Sequence, residues 1–574
     1  MGAADEVLEW LGDSVDLVGL AVGSASVGFA HGNDKRWWDC GDPVELVAVV
    51  EAACRPRWVM WSSDTASVLV AGDLRVSRCW DIAAVHRLLT GGWRADAGRT
   101  WAVANGLDVD GLPTSTAPDL FTVATDDGDA AEPIRPDGYL RPDWVEGTWT
   151  EGADRVSMWA GLALRVAEKQ RSALRQLVDR PRAEATARSE SAAELLCAEL
   201  AVDGLPMRRS IAEAMVCDAV GLRARNGTEA AERRRVRDAL VFAACPDIGD
   251  FDLRSPGQVK SLLRRVGIEV VDTRAWRLET LRAEHPVIDA LLQWRKSERI
   301  ATTFGYEWLD RHLGPDDRLR GAWTGCDGAA GRMTASAGLH NMPADFRPAV
   351  CAEPGHVFVR ADLGQIEPRV LAAVSGDGAL ARATQDDDMY APVATRLGVD
   401  RATAKVAVLG AMYGQTTGHG AQALRGLASA YPVAMGYLDT AAQAGQVGRE
   451  LRTYGGRLIR MGMSVDSDLD ERDARSRAAA RGRYGRNAMI QGAAAELFKV
   501  WAVTVRARGA EMAAQIVLCL HDELLVHVPS AHAEAAAALV DECLQEAAYR
   551  WAPDRSVRFL ADVRVIDRWS DAKD

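Results

Sequence analysis

The sequence predicts a multidomain α+β protein in which strand-rich and helix-rich stretches come in blocks. Three observations carry that reading. At 574 residues the chain is too long for a single hydrophobic core. Residues 15–30 alternate as strands do and 320–377 and 512–566 read as strand-rich, whereas 151–245 and 378–450 carry helical periodicity. Finally, two apolar strand-like segments contain acids, VFVRADLG at 357–364 and LCLHDELLVHVP at 518–529. Burying an unpaired carboxylate costs several kcal/mol, so these acids need a partner.

The elements follow in order. VDLVGLAVGSASVGFA (15–30) reads as strands joined by a Gly/Ser turn, and WVMWSS (58–63) with a helix-like WDIAAVHRLL (80–89) completes a small α/β unit. A loop rich in Asp, Gly and Pro over 105–143 ends that unit. Ala/Leu/Arg periodicity then runs from 151 to 245, and FDLRSPGQVKSLLRRVGI (251–268) reads as a turn followed by a helix opened by Ser255-Pro256. No internal repeat, heptad run or low-complexity tract is present.

Composition narrows the class. With 48% hydrophobic and 26% charged residues the chain resembles an ordinary soluble protein. No run of 18 uncharged apolar residues exists, and MGAADEVLEW lacks a signal peptide's basic start and apolar middle, so no membrane partner is expected. The 10 cysteines show no C-x-x-C pair and no zinc-finger spacing, which fits a reduced, cytoplasmic setting. The net charge of −13 is confined to residues 1–150, which hold 24 acids and 11 bases; the remainder is neutral. Within it, bases cluster at RRRVR (233–237), at RKSER (295–299) and in six arginines between 472 and 486. Such clusters are either solvated helix faces or a track for a phosphate backbone.

Two acids on two strands are a common way to hold a pair of Mg²⁺ ions, because hard cations take oxygen ligands and offset the buried charge. For one such Asp alone, a turn or a paired core carboxylate is an equally simple reading. Between the two segments lies RATAKVAVLGAMYG (401–414), where Arg401, Lys405, Leu409 and Tyr413 recur every four residues on one helix face. Two cations followed by an apolar and an aromatic residue could meet a triphosphate, then a sugar and base. An amphipathic surface helix is the alternative. Gly410 and Gly414 each weaken that helix by about 1 kcal/mol and suggest close approach of something flat.

With these residues in view, the chain from about 185 onward resembles the family-A DNA polymerases. ADLGQIEPRVLAAVSGD resembles the first palm motif D-Y-S-Q-I-E-L-R, and RATAKVAVLGAMYG the fingers motif R-x-x-x-K-x-x-x-F-G-x-x-Y-G. LHDELLVHV is similar to the third motif, while AGRMTASAGLHNMP (330–343), RNAMIQGAAAELFK (486–499) and the thumb-entry stretch from 251 match further motifs in the same order. The resemblance implies a right-hand architecture: thumb at 185–320, antiparallel-sheet palm at 321–377 and 487–574, fingers at 378–486. It implies template-directed addition of deoxynucleotides to a primer 3′-hydroxyl, with Asp362 and Asp522 holding two Mg²⁺ (Mn²⁺ as an alternative) and Glu523 supporting. Arg401 and Lys405 would grip the triphosphate, Lys405 also neutralising charge in the transition state. Leu409, Tyr390 and Gln365 would line the nucleotide site. Glu367 would exclude a ribose 2′-hydroxyl, and Tyr413 would close over the templating position. Arg332, Asn341, Arg483, Asn487 and Gln491 would touch primer–template DNA, with His521 near the primer terminus.

The sequence departs from the family pattern at several points. Leu363-Gly364 replaces Tyr-Ser, Leu409 replaces an aromatic, and Tyr390 stands where a His is usual. The loop ADFRPAV is short, and its usual arginine is missing or moved to Arg347.

Many relatives in the family carry an RNase-H-like 3′–5′ exonuclease domain before the polymerase, whose chemistry needs about four acids beginning with D-x-E on the first strand. The first-strand candidate GLAVGSASVG has no acid, Asp64 falls one residue out of register, and Asp81 and Asp154 stand as remnants. The expectation for 1–165 is a degenerate exonuclease-like domain without proofreading, and no 5′-nuclease domain ahead of it. Other readings are a polymerase with residual exonuclease, a catalytically weak primer–template binding protein, and a nuclease using the same acids. A monomer is expected, cytoplasmic and nucleoid-associated, from a bacterium or phage, with a replication or repair protein as accessory partner.

Overall fold

The computed structural model describes residues 2–12, 16–114, 129–177, 180–246, 248–249, 251–414, 421–462 and 471–572. Part of the expected loop at 105–143, residues 115–128, lies outside the described residues. The chain forms two compact units: 1–204 with 322–335 and 354–566, and 205–321 with 336–353 and 567–574.

The first unit opens on a five-stranded sheet. Its strands are β1 (Leu17–Val22), β2 (Ser26–His31), β3 (Asp34–Asp39), β4 (Arg57–Met60) and β5 (Cys79–Asp81). They lie in the order β3-β2-β1-β4-β5, with β1–β2 and β2–β3 antiparallel and β1–β4 and β4–β5 parallel. Strand alternation splits β1 and β2 cleanly. Val18, Leu20, Val27 and Phe29 join one core, while Ala21 and Ala30 join another that includes Val156, Ala160 and Ala163. That second core belongs to the helix Ala153–Arg175, which packs so closely that a Cβ on Gly28 would lie 2.6 Å from the Val156 backbone. One on Gly19 would overlap the Ala160 carbonyl. The stretch expected as helix at 80–89 divides: Asp81 ends β5 and caps the helix Ile82–Thr90, accepting the Ala84 N–H at 2.7 Å.

The rest of this unit is built on a four-stranded antiparallel sheet of β6 (His356–Leu363), β7 (Gln515–Leu520), β8 (Glu523–Pro529) and β9 (Ala561–Ile566), in the order β7-β8-β6-β9. The helix Glu471–Gly509 runs unbroken across position 486, where the sequence suggests a boundary between fingers and palm. It is long and apolar enough to cross a membrane by length and composition, yet 83% of its apolar window is buried inside the protein, which makes it a core helix. Trp501, Leu497 and Ala502 on it are fully buried. The stretch 512–566, expected as strand-rich, also contains the 19-residue helix Ala533–Trp551, whose Leu539, Cys543, Leu544 and Ala547 pack on the same core.

The helix Ala183–Asp203, expected with the thumb, belongs to the first unit, because 14 of its residues are buried there. The second unit is helical. Its core gathers Val241, Leu262, Leu263, Leu291 and Trp294 from the helices Gly227–Ala243, Pro256–Arg265 and Pro286–Thr303. As expected, Ser255 caps the second of these and Pro256 is its first residue. The basic run at 233–237 is largely engaged in ion pairs here: Arg233 with Glu229 at 2.6 Å, Arg235 with Glu232 at 2.9 Å and Arg237 with Glu298 at 3.2 Å.

Candidate active site

Leu520 pairs with Glu523, so His521 and Asp522 form a two-residue hairpin turn between β7 and β8. Such turns favour positive φ, and His521 has φ 45°. The turn is pinned to the end of β6, where the Leu363 N–H donates to the Asp522 carbonyl at 2.9 Å. Asp362 sits directly opposite Glu523 on one side and Asp562 on the other. The acid pair of the third motif is thus brought against the acid of the first by strand register.

The electrostatics suit a cation. Burial, together with repulsion from Asp522, pushes the Asp362 carboxyl up to about 6, against the pull of Arg360. Asp522 is also raised, by burial and by Glu523. Carboxylates that resist ionisation because they face one another are stabilised by a divalent ion. The donor set therefore fits a hard divalent cation.

A cavity of about 240 Å³ opens beside these acids. Arg332, Gln365, Glu367, Tyr390, Leu409, Tyr413, His521 and Asp522 line it, all expected from the sequence, with Ala494, Ala495 and Phe498 of the 471–509 helix closing it. The helix Arg401–Tyr413 exposes Arg401, Lys405 and Tyr413, leaves Leu409 half-buried and turns Ala404, Ala407, Val408 and Ala411 inward. Asp400 caps its start through the Thr403 N–H, and Gly414 ends it with φ 68°. Gly410 is buried. Gly414 packs on Arg483, whose Cγ would be 2.8 Å from an added Cβ.

Polar contacts tie the cavity wall together. Glu367 accepts Arg332 Nη2 at 2.9 Å and the Tyr413 hydroxyl at 2.8 Å. Burial and this carboxylate push Tyr413 up to about 12. Asp388 gathers three of the expected nucleotide contacts: it pairs with Arg401 and accepts Gln365 Nε2 at 3.1 Å and the Tyr390 N–H at 3.2 Å. The Arg401 guanidinium also lies 5.8 Å from the Tyr390 ring centre. On the 471–509 helix, Arg483 is exposed and Asn487 and Gln491 are half-buried, four residues apart on the face that leads toward Ala494 and Phe498. Asn341 belongs to the second unit, where its carbonyl accepts Arg299. Arg347 also lies in that unit and stacks on Trp569 at 4.0 Å.

Three residues escaped the sequence reading. Asp388 stands in a run of three acids that resembles a solvated turn. Arg360 and Asp562 acquire meaning only through strand register, although a lone Arg two residues before Asp362 in an apolar strand was a visible signal. Of the departures, Gly364 has a local cause, because a Cβ there would overlap the Leu560 side chain.

In the N-terminal sheet the acids expected as remnants form no single cluster: Asp64 lies near enough to repel Asp81, whereas Asp154 lies apart. Asp154 accepts the Trp37 indole of β3 at 2.5 Å, whereas Asp81 ends β5. These strands are opposite edges of the sheet, roughly 19 Å apart at the usual strand spacing. Asp81 is fully buried, and desolvation with repulsion from Glu194 pushes it up to about 8. Asp64 accepts the Ser62 hydroxyl at the surface.

Comparison with known proteins agrees with this geometry. The family model for DNA polymerase family A matches residues 228–571. DNA polymerase I, thermostable, of Thermus aquaticus is 29% identical over 362 residues, covering 56% of this chain and 42% of that protein. DNA polymerase I of Chloroflexus aurantiacus is 31% identical over 324 residues, covering 51% and 33%. DNA polymerase theta of Caenorhabditis elegans is 25% identical over 331 residues, covering 52% and 20%. The chain thus spans less than half the length of these relatives. A solved structure, the POL domain of Pol1 from M. smegmatis in complex with DNA primer-template and dNTP, superposes with a TM-score of 0.70 at 20% identity, covering 99% of this chain and 98% of that one. That likeness establishes the right-hand polymerase fold, and the family model, matching more than half of the chain, establishes the lineage: this chain belongs to DNA polymerase family A.

Proposed function

We propose that the chain is a DNA-directed DNA polymerase that adds deoxynucleoside monophosphates to a primer 3′-hydroxyl and releases pyrophosphate. The observation that carries this reading is the cavity itself, with Asp522 on one wall and Leu409 and Tyr413 of the 401–413 helix on the other. Asp362 and Asp522 are the proposed ligands of two Mg²⁺ ions, with Mn²⁺ as an alternative. Bound there, the cations would lower the pKa of the attacking hydroxyl and offset charge on the leaving oxygen.

The chain's own groups would do the rest. Lys405 and Arg401 face solvent on the cavity side of their helix and would neutralise the triphosphate, Arg401 exchanging Asp388 for phosphate oxygens. Glu367, clamped between Arg332 and Tyr413, is a fixed wall that would abut the sugar 2′-carbon and reject a hydroxyl there. Tyr413 would stack over the base position. Arg483, Asn487 and Gln491 form a polar strip suited to the minor groove, where acceptors shared by all base pairs let geometry be checked without reading sequence. Residues 185–320 are the proposed thumb, 378–486 the fingers, and 321–377 with 487–574 the palm.

We further propose that the domain of residues 1–165 has no proofreading activity. The face of β1 that would present acids is filled by the 153–175 helix, and Asp81 and Asp154 sit at opposite sheet edges. A monomer in the cytoplasm, acting on primer–template DNA in replication or repair, completes the reading. The test is extension of a labelled primer with each dNTP against each template base. Incorporation that follows the template supports the proposal, and incorporation independent of it sinks it. Trimming of the 3′ end without nucleotides would overturn the claim about the N-terminal domain.

A further inference from the structure

We propose that Arg360 is a built-in counter-cation of the palm acids: a positioning residue that shares Asp362 with the divalent metal and so sets how much metal the site needs. This rests on the reading of Asp362 and Asp522 as metal ligands. Register places Glu523, Asp362 and Asp562 in one row across β8, β6 and β9. Neighbouring strands stand ~4.8 Å apart, and like charges directly opposite destabilise a sheet. Arg360 lies two residues back on β6, on the same face as Asp362. Its fork reaches all three acids: Nη2 to Asp362 Oδ2 at 2.5 Å, Nε to Glu523 Oε1 at 3.1 Å and Nη1 to Asp562 Oδ2 at 3.3 Å. Arg564, on β9, also holds Asp562, at 3.1 Å.

Two consequences follow from the chemistry of the guanidinium. It stays protonated at all working pH values, so the compensation is permanent, and its planar fork fixes the rotamers of the row. It is also only 7% exposed, so its charge is weakly screened and acts strongly on the carboxylates. A metal binding at Asp362 therefore shares the carboxylate with Nη2 through a remaining lone pair or displaces it. Guanidinium and divalent ion compete for the same negative charge, and the protein trades metal affinity for an ordered row when metal is absent.

The test is Mn²⁺ titration, followed by electron paramagnetic resonance, of the full chain without DNA or nucleotide. The site is defined as the binding lost in Asp522→Ala. Arg360→Met removes the charge while keeping much of the volume, and is expected to bind Mn²⁺ about tenfold more tightly than wild type. Arg360→Lys keeps a charge at one point and is expected to fall between the two, about threefold tighter. It also serves if the Met variant does not fold. Wild-type or weaker affinity in either folded variant overturns the proposal and leaves the metal reading intact. A wild-type chain with no Asp522-dependent Mn²⁺ site removes both.

Discussion

Lys499 is one of only seven lysines in the chain, and it is fully buried. Its Nζ lies 2.7 Å from Glu190 Oε2, the same oxygen that Arg457 Nη2 approaches at 2.5 Å. All three side chains are at most 2% exposed. This triad joins the 183–203 helix, the turn at 453–457 and the 471–509 helix. Lys499→Met leaves Glu190 with one cation where it had two. Breaking a buried pair costs about 3–5 kcal/mol, and the retained Arg457 puts this case near ~3 kcal/mol. In a domain this large that corresponds to a fall in melting temperature of roughly 3–8 °C. Thermal unfolding followed by circular dichroism measures it, with Glu190→Gln/Lys499→Met as the second variant. The double variant is expected to be no more stable than Lys499→Met, because Glu190→Gln also takes the paired acid from the buried Arg457 guanidinium. A Lys499→Met protein as stable as wild type would refute the reasoning, because it would mean that Glu190 does not depend on the lysine.

Further outcomes follow from neighbouring groups. Burial pushes Glu496 up to about 7, although Thr453 and the Gly455 N–H bond it. Its folded pKa exceeds the unfolded value, so its contribution to stability is present at acid pH and is lost as pH rises through about 7; Glu496→Gln should flatten that fall in a melting-temperature series from pH 5 to 8. Gly19→Asp should lower stability by at least ~1–3 kcal/mol through overpacking against Ala160 and should give no 3′ trimming, whereas restored nuclease activity would contradict the filled-site argument. Glu367→Ala opens the wall held by Arg332 and Tyr413, and single-nucleotide incorporation should show ribonucleotide discrimination falling by at least ~10²-fold, equivalent to losing about 3 kcal/mol of selectivity.

Much of the site was legible through its motifs. Acids in apolar strands and a four-residue recurrence of cation, cation, apolar and aromatic residue each have a plain reading alone; it is their collinear order with the other family motifs that singles out Asp362, Asp522 and the 401–413 helix. What stayed hidden depends on pairing between distant segments. Arg360 and Asp562 are unremarkable until β6 and β9 align them, and Asp388 becomes a hub only when Gln365 and Arg401 fold onto it. The 533–551 helix was missed because it sits between strands in a segment read by its apolar ends. The 183–203 helix was assigned by position, whereas burial on nearly all sides places it with the first unit. For the N-terminal sheet, the missing acids could be seen in the sequence; the small residues that let a helix close over their place could not be interpreted until Gly19 and Gly28 were seen against it.

The central claim is that Asp362 and Asp522 carry the chemistry on a scaffold that binds DNA without them. Single-turnover primer extension at saturating dNTP and Mg²⁺, run for wild type, Asp362→Asn and Asp522→Asn beside a primer–template binding assay, tests it most directly. The account predicts that each variant loses at least ~10³-fold in rate, about 4 kcal/mol of transition-state stabilisation, while binding DNA within about threefold of wild type. Extension at near wild-type rate in either variant would contradict it.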